Sequence, residues 1–121
     1  MKMNGVKPLL LIFAACLSGH SVAQPRYVVE VLGVLNGETY SKAFGLNALG
    51  DVVGTSNSVS GQVAVLWNPN PLILGVVPGD VAAEARSINL HGEVTGTSWS
   101  PSSISRPFKW TGSGPLIGLT F

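Results

Sequence analysis

Lys42-Ala-Phe-Gly-Leu-Asn-Ala-Leu-Gly-Asp-Val-Val-Gly-Thr-Ser-Asn-Ser58 returns 42 positions later as Glu84-Ala-Arg-Ser-Ile-Asn-Leu-His-Gly-Glu-Val-Thr-Gly-Thr-Ser-Trp-Ser100. Eight of the seventeen positions are identical, and Leu46/Ile88 and Asp51/Glu93 are conservative exchanges. The echo extends over residues 33–58 and 75–100. A period of this length marks stacked supersecondary units, each with a face that its neighbour must cover. Working outward, the first unit runs from about 33 to 74 and the second from about 75 to 117; residues 118–121 begin a third. The repeat speaks to architecture and leaves chemistry open.

Short runs of Val, Leu, Ile and aromatic residues punctuated by Gly, Pro, Asn and Ser read as strands and tight turns. Strands are expected over 27–34, 40–46, 52–56, 63–67, 72–77, 84–90, 94–99, 107–110 and 116–119. No stretch after the leader keeps a 3.6-residue apolar rhythm, so the expected fold class is all-β. Val63-Ala-Val-Leu-Trp67 is apolar on both faces, as a strand is when its sheet lies between others. Asn47-Ala-Leu-Gly50 and Asn89-Leu-His-Gly92 each join two strands and read as four-residue hairpin loops, with Asn capping the turn and Gly supplying positive φ. Gly54 and Gly96 fall inside strands, where a glycine marks a bulge or a close backbone approach. Gly33 with Gly37, and Gly75 with Gly79, bracket a further repeated turn.

These residues resemble the bacterial extracellular HAF repeat. The resemblance runs through Leu32-Gly-Val-Leu-Asn-Gly37, Ala43, Leu46-Asn-Ala-Leu-Gly-Asp-Val-Val-Gly54 and Ala64-Val-Leu-Trp67. In the second copy it runs through Gly75, Ala85, Ile88-Asn89, Gly92, Val94, Gly96, Phe108 and Trp110. The His-Ala-Phe triplet of that family reads Val63-Ala64-Val65 and Arg106-Pro107-Phe108 here, so the eponymous His is absent from both copies. The resemblance implies two hairpin-rich, propeller-like blades, forming an incomplete β-propeller or small stacked sheets, and no assigned activity. Propellers close with about four or more blades. Two leave strand edges open to pairing with another chain, which points to self-association or to a piece of a longer propeller protein.

The N-terminus reads as a secretory signal peptide over residues 1–23. Lys2 and Lys7 precede the short apolar run 9–17, and Ser21-Val-Ala23 offers small residues to a signal peptidase. The run is too short for a permanent membrane span. The rival reading takes Phe13-Ala-Ala-Cys16 as a lipobox with Cys16 lipidated. Cleavage after Ala23 leaves a β-repeat domain over 24–121, destined for the outside of the cell, the cell surface or the periplasm. It retains six acidic side chains against five basic ones and no cysteine. No basic stripe for nucleic acid remains, and neither a disulfide framework nor a thiolate metal site can form.

Catalytic groups are sparse. His91 is the sole histidine after residue 23 and falls in a hairpin loop, with no nucleophile-elbow motif to complete a triad. Asp51 and Glu93 follow the turn glycines at one repeat position; one carboxylate per turn solubilises the turn rather than chelating calcium. Trp67 and Trp110 recur at one strand position and are expected in the core or between blades. Trp99 replaces Asn57 of the first copy and is the candidate exposed aromatic, with Arg106 as a candidate contact for an acidic ligand. The functional expectation is a binding or interaction module without catalytic activity or cofactor, its partner an extracellular protein or a glycan. A glycan-active propeller enzyme is the opposing expectation and needs clustered carboxylates or a His-containing pocket.

Overall fold

The computed structural model describes residues 24–120; residues 1–23, over which the signal peptide is expected, and Phe121 lie outside the described residues. The chain divides into two compact units, Met1–Glu30 and Val31–Phe121. All the regular structure described belongs to the second, and it is all-β: two four-stranded antiparallel sheets in meander order. β1 (Ser41–Leu46), β2 (Val52–Ser58), β3 (Gly61–Trp67) and β4 (Pro71–Gly75) form the first. β5 (Ala82–Ile88), β6 (Val94–Trp99), β7 (Ser105–Trp110) and β8 (Ile117–Gly118) form the second.

The repeat is reproduced down to its irregularities. β1 bulges between Ala43 and Gly45, and β5 bulges at the same repeat position between Ala85 and Ser87. Gly54 and Gly96 lie opposite these bulges, where a Cβ would overlap the carbonyl oxygens of Lys42 and Glu84. The extra residues at the bulges, Phe44 and Arg86, meet across the sheets, with the guanidinium 4.3 Å from the ring centroid.

Directly paired residues share a face, so the register sorts the side chains. Val53, Thr55, Ala64 and Leu66 share one face of the first sheet, and Val52, Ser56, Val63, Val65 and Trp67 the other. In the second sheet Val94, Ser98, Arg106, Phe108 and Trp110 share one face, with Thr95, Thr97, Trp99, Pro107 and Lys109 opposite. The main core joins Val53, Ala64 and Leu66 to Val94, Phe108 and Trp110, with Leu74, Val77 and Leu116 closing it. A second core lies on the far face of the first sheet, where Val63, Val65 and Trp67 are covered by Leu32 and Leu35. β5 is seated on the first sheet through polar ties as well. Thr55 Oγ1 reaches Ala83 O at 3.2 Å, and Asn47 Nδ2 donates to Asn89 O at 3.0 Å.

Two boundaries differ from the sequence reading. Gly75, which opens the second sequence unit, closes the first sheet; likewise Ile117–Gly118 completes the second sheet by pairing with β7. Each sheet therefore ends one residue later than the sequence unit suggests. The strand expected over 27–34 does not form, because an isolated strand leaves its backbone groups without partners. Tyr27, Val28, Val29 and Val31 are instead 88–90% exposed.

Candidate ligand-binding site

The turns at one end of the sheets enclose the most promising concavity. β4 ends at Gly75, and the connection Val76–Val81 runs across to β5. Its turn is closed by Asp80 N–H donating to Val77 O at 2.8 Å, around Gly79 at φ +93°. The same turn occurs one repeat earlier, with Glu38 N–H donating to Leu35 O at 2.9 Å around Gly37 at φ +80°. Both turns place an acidic residue directly after the glycine.

Asp80 is 9% exposed, and its side chain is fully enclosed. Arg106 Nη2 approaches Oδ1 at 3.0 Å as an ion pair. Neither carboxylate oxygen has a partner in hydrogen-bonding geometry among the described residues. A buried carboxylate so sparsely satisfied is costly. It borders a cavity of about 560 Å³ walled by Val63, Ile73, Val76 and Val81, with Ser60 from the β2–β3 turn. A second cavity of about 530 Å³ lies beside it, walled by Val34, Leu35, Pro71 and Ile73 and bordered by Glu38. Ser58, Val59 and Ile73 belong to both, so the fully exposed Val59 stands between two cavities with repeat-equivalent carboxylates. Ser58 fixes the turn rather than a ligand: its hydroxyl donates to Gly61 O at 2.8 Å.

Trp99 and Arg106, singled out in the sequence, are not brought together. Trp99 pairs with Ser105 and Arg106 with Ser98, so strand alternation sends the two side chains to opposite faces. Arg106 turns toward the first sheet and Asp80, whereas Trp99 is half-buried on the outer face. Trp67 and Trp110 are buried, at 2% and 7% exposure.

The turns at the other end are held by an Asn–acid clasp. Asn47 Oδ1 accepts the N–H groups of Leu49 and Asp51 at 3.0 Å, and its amide donates to Asp51 Oδ2 at 2.8 Å. Asn68 donates to the other oxygen of Asp51, so both carboxylate oxygens are engaged by amides. Asn89 repeats the pattern with His91 and Glu93, and Lys109 pairs with Glu93. The Lys109 hydrogen bond, then that from Asn89, holds the Glu93 carboxyl below its ordinary value. His91 is exposed at this turn. Gly50 and Gly92 take φ +86° and +77° with open space around them, so their need is conformational. Gly33 and Gly75 also have positive φ, at +60° and +88°. Among the described residues no group of three or more His, Cys, Asp or Glu side chains is gathered as a metal site would require, and no helix is long and apolar enough to cross a membrane.

Sequence reasoning missed Asp80, Glu38 and Val59. A signal was present, since Glu38 and Asp80 also lie 42 positions apart, each after a repeated glycine. Position in the repeat gave no indication that one of them is buried. No family model, curated protein or solved structure matches the chain.

Proposed function

We propose that the chain is an exported, non-catalytic binding module of HAF-like repeats that takes its ligand at the Val59 end of the sheets. The observation that carries this reading is the enclosed Asp80 carboxylate, whose Oδ2 is unpartnered beside an apolar cavity. Aliphatic walls beside a buried carboxylate that Arg106 approaches at only one oxygen suit an aliphatic stem ending in a cation, such as a lysine side chain of an extracellular protein. A sugar would call for an aromatic platform, and the cavity walls carry none, with Trp99 on another face.

Titration with n-pentylamine, followed by the methyl resonances of Val59, Ile73 and Val81, tests the reading. Saturable shifts that n-pentanol does not reproduce and that Asp80→Asn removes are expected. Equal response to the amine and the alcohol, or none to either, would overturn it. Export is checked separately by the mass of the secreted protein, which should begin at Gln24.

A further inference from the structure

The chain carries three copies of a fourth strand and only two sheets to receive them. β4, Pro71–Gly75, is the fourth strand of the first sheet, and β8 is that of the second. Residues 29–33, Val-Glu-Val-Leu-Gly, stand 42 positions before β4 and end in the same glycine. They form no strand, and Tyr27, Val28, Val29 and Val31 are almost fully exposed. An exposed apolar segment with strand character is a ready donor to an open sheet edge.

The receiving edge can be chosen from the register. β4 pairs with β3 through Leu66↔Leu72, Val65↔Ile73 and Trp67↔Pro71. Moved to the equivalent positions, the surplus segment would set Glu30 opposite Leu66 on a β3-type edge, stranding a charge beside an apolar residue. On a β7-type edge Glu30 stands opposite Lys109, with Val31 opposite Phe108 and Val29 opposite Trp110. Opposite charges at a directly paired position are stabilising. β7 is also the less fully covered edge: β8 pairs with it through Lys109↔Ile117 and Phe108↔Gly118, Leu119 N–H adds one bond to Pro107 O at 2.8 Å, and the rung that Trp67 makes with Pro71 has no counterpart at Trp110. The residues that follow the segment are anchored away from the chain's own β7. Leu32 and Leu35 pack on the face of the first sheet that points away from the second sheet.

We infer that residues 29–33 add as an antiparallel strand to β7 of a second copy, displacing its β8, with the exchange made in both directions to give a closed dimer. The inference uses a different surface from the Asp80 cavity and stands without it.

The test is light scattering of the exported chain across a concentration series, with charge reversals at the proposed rung. The unaltered chain should shift from monomer to dimer and no further. Glu30→Lys and Lys109→Glu should each raise the dimer dissociation constant about tenfold. An equimolar mixture of the two variants should restore dimerisation, because both rungs of the mixed dimer are again complementary. Glu30→Lys lies in an exposed segment and cannot unfold the sheets, so its result stands even if Lys109→Glu disturbs the Glu93 pair. A monomer at every concentration, or a dimer indifferent to Glu30→Lys, would overturn the inference.

Discussion

At the scale of single residues, the two copies act as internal controls for each other. Asn47 and Asn89 make the same clasp, but Asn47 is buried and also donates across the sheets to Asn89 O. Asn47→Ala should therefore cost about 2–3 kcal/mol and Asn89→Ala about 1 kcal/mol, read from denaturant unfolding. Gly96→Ala should lose about 1–3 kcal/mol, because its Cβ would collide with Glu84 O and the Phe108 ring. The two indoles differ in the same instructive way. Trp110 Nε1 donates to Gly114 O at 3.0 Å, whereas the buried Trp67 Nε1 has no acceptor among the described residues. The cause is local: a longer loop follows Trp110, and its Gly114 carbonyl accepts the indole, whereas only Asn68–Asn70 separate Trp67 from β4. Trp110→Phe should thus be more destabilising than Trp67→Phe by about 1 kcal/mol, as measured by the same unfolding curves.

At the scale of elements, the hairpins were legible and the connections were not. Each of the eight strands overlaps a stretch expected to be a strand, most of them Val-, Leu- or aromatic-rich runs between turn residues; β5, Ala82–Ile88, holds no Val, Leu or aromatic residue and was legible through its repeat partner β1. The strand expected over 27–34 shows where such local rules fail: its residues satisfy every local criterion, yet a strand needs a neighbour, and pattern alone does not supply one. The candidate site failed for a similar reason. Burial of Asp80 depends on how Val76–Val81 crosses between sheets, which is tertiary information, whereas the Asn-x-x-Gly clasp was legible because it closes within five residues. The hairpin joining β5 and β6 also predicts a pH response. Glu93 titrates below its ordinary value of 4.5 because Lys109 and Asn89 favour its charged form. A lowered folded-state value means this stabilisation is complete above about pH 4.5 and is lost as the pH falls through the folded value. Replacing Lys109 by Met should flatten that part of the acid limb in thermal melts recorded from pH 6 downward.

At the scale of the whole molecule, the two sheets differ on the repeat-equivalent face, inner in the first and outer in the second, and the difference limits how copies can stack. The first sheet offers Val53, Ala64 and Leu66 to its neighbour; the equivalent positions of the second sheet hold Thr95, Pro107 and Lys109. A terminal repeat with a polar outer face caps a stack and keeps it soluble. At the opposite end, β1 exposes Leu46 at 73%, and Ala43 is also exposed, whereas their counterparts Ile88 and Ala85 are 7% and 0% exposed beneath the first sheet. One end is thus built to be covered by an apolar sheet, and the other withholds one. Restoring the apolar face should remove the cap. Thr95→Val with Pro107→Ala and Lys109→Leu gives the second sheet the residues of the first, and copies could then stack head to tail. Such a contact is heterologous and does not close, so the product should be open-ended oligomers growing with concentration. Strand exchange through residues 29–33 instead stops at a dimer. Sedimentation velocity distinguishes the two: a broadening series of heavier species in the triple variant is expected, and species no heavier than a dimer at every concentration would show that Thr95, Pro107 and Lys109 are not what keeps the stack short.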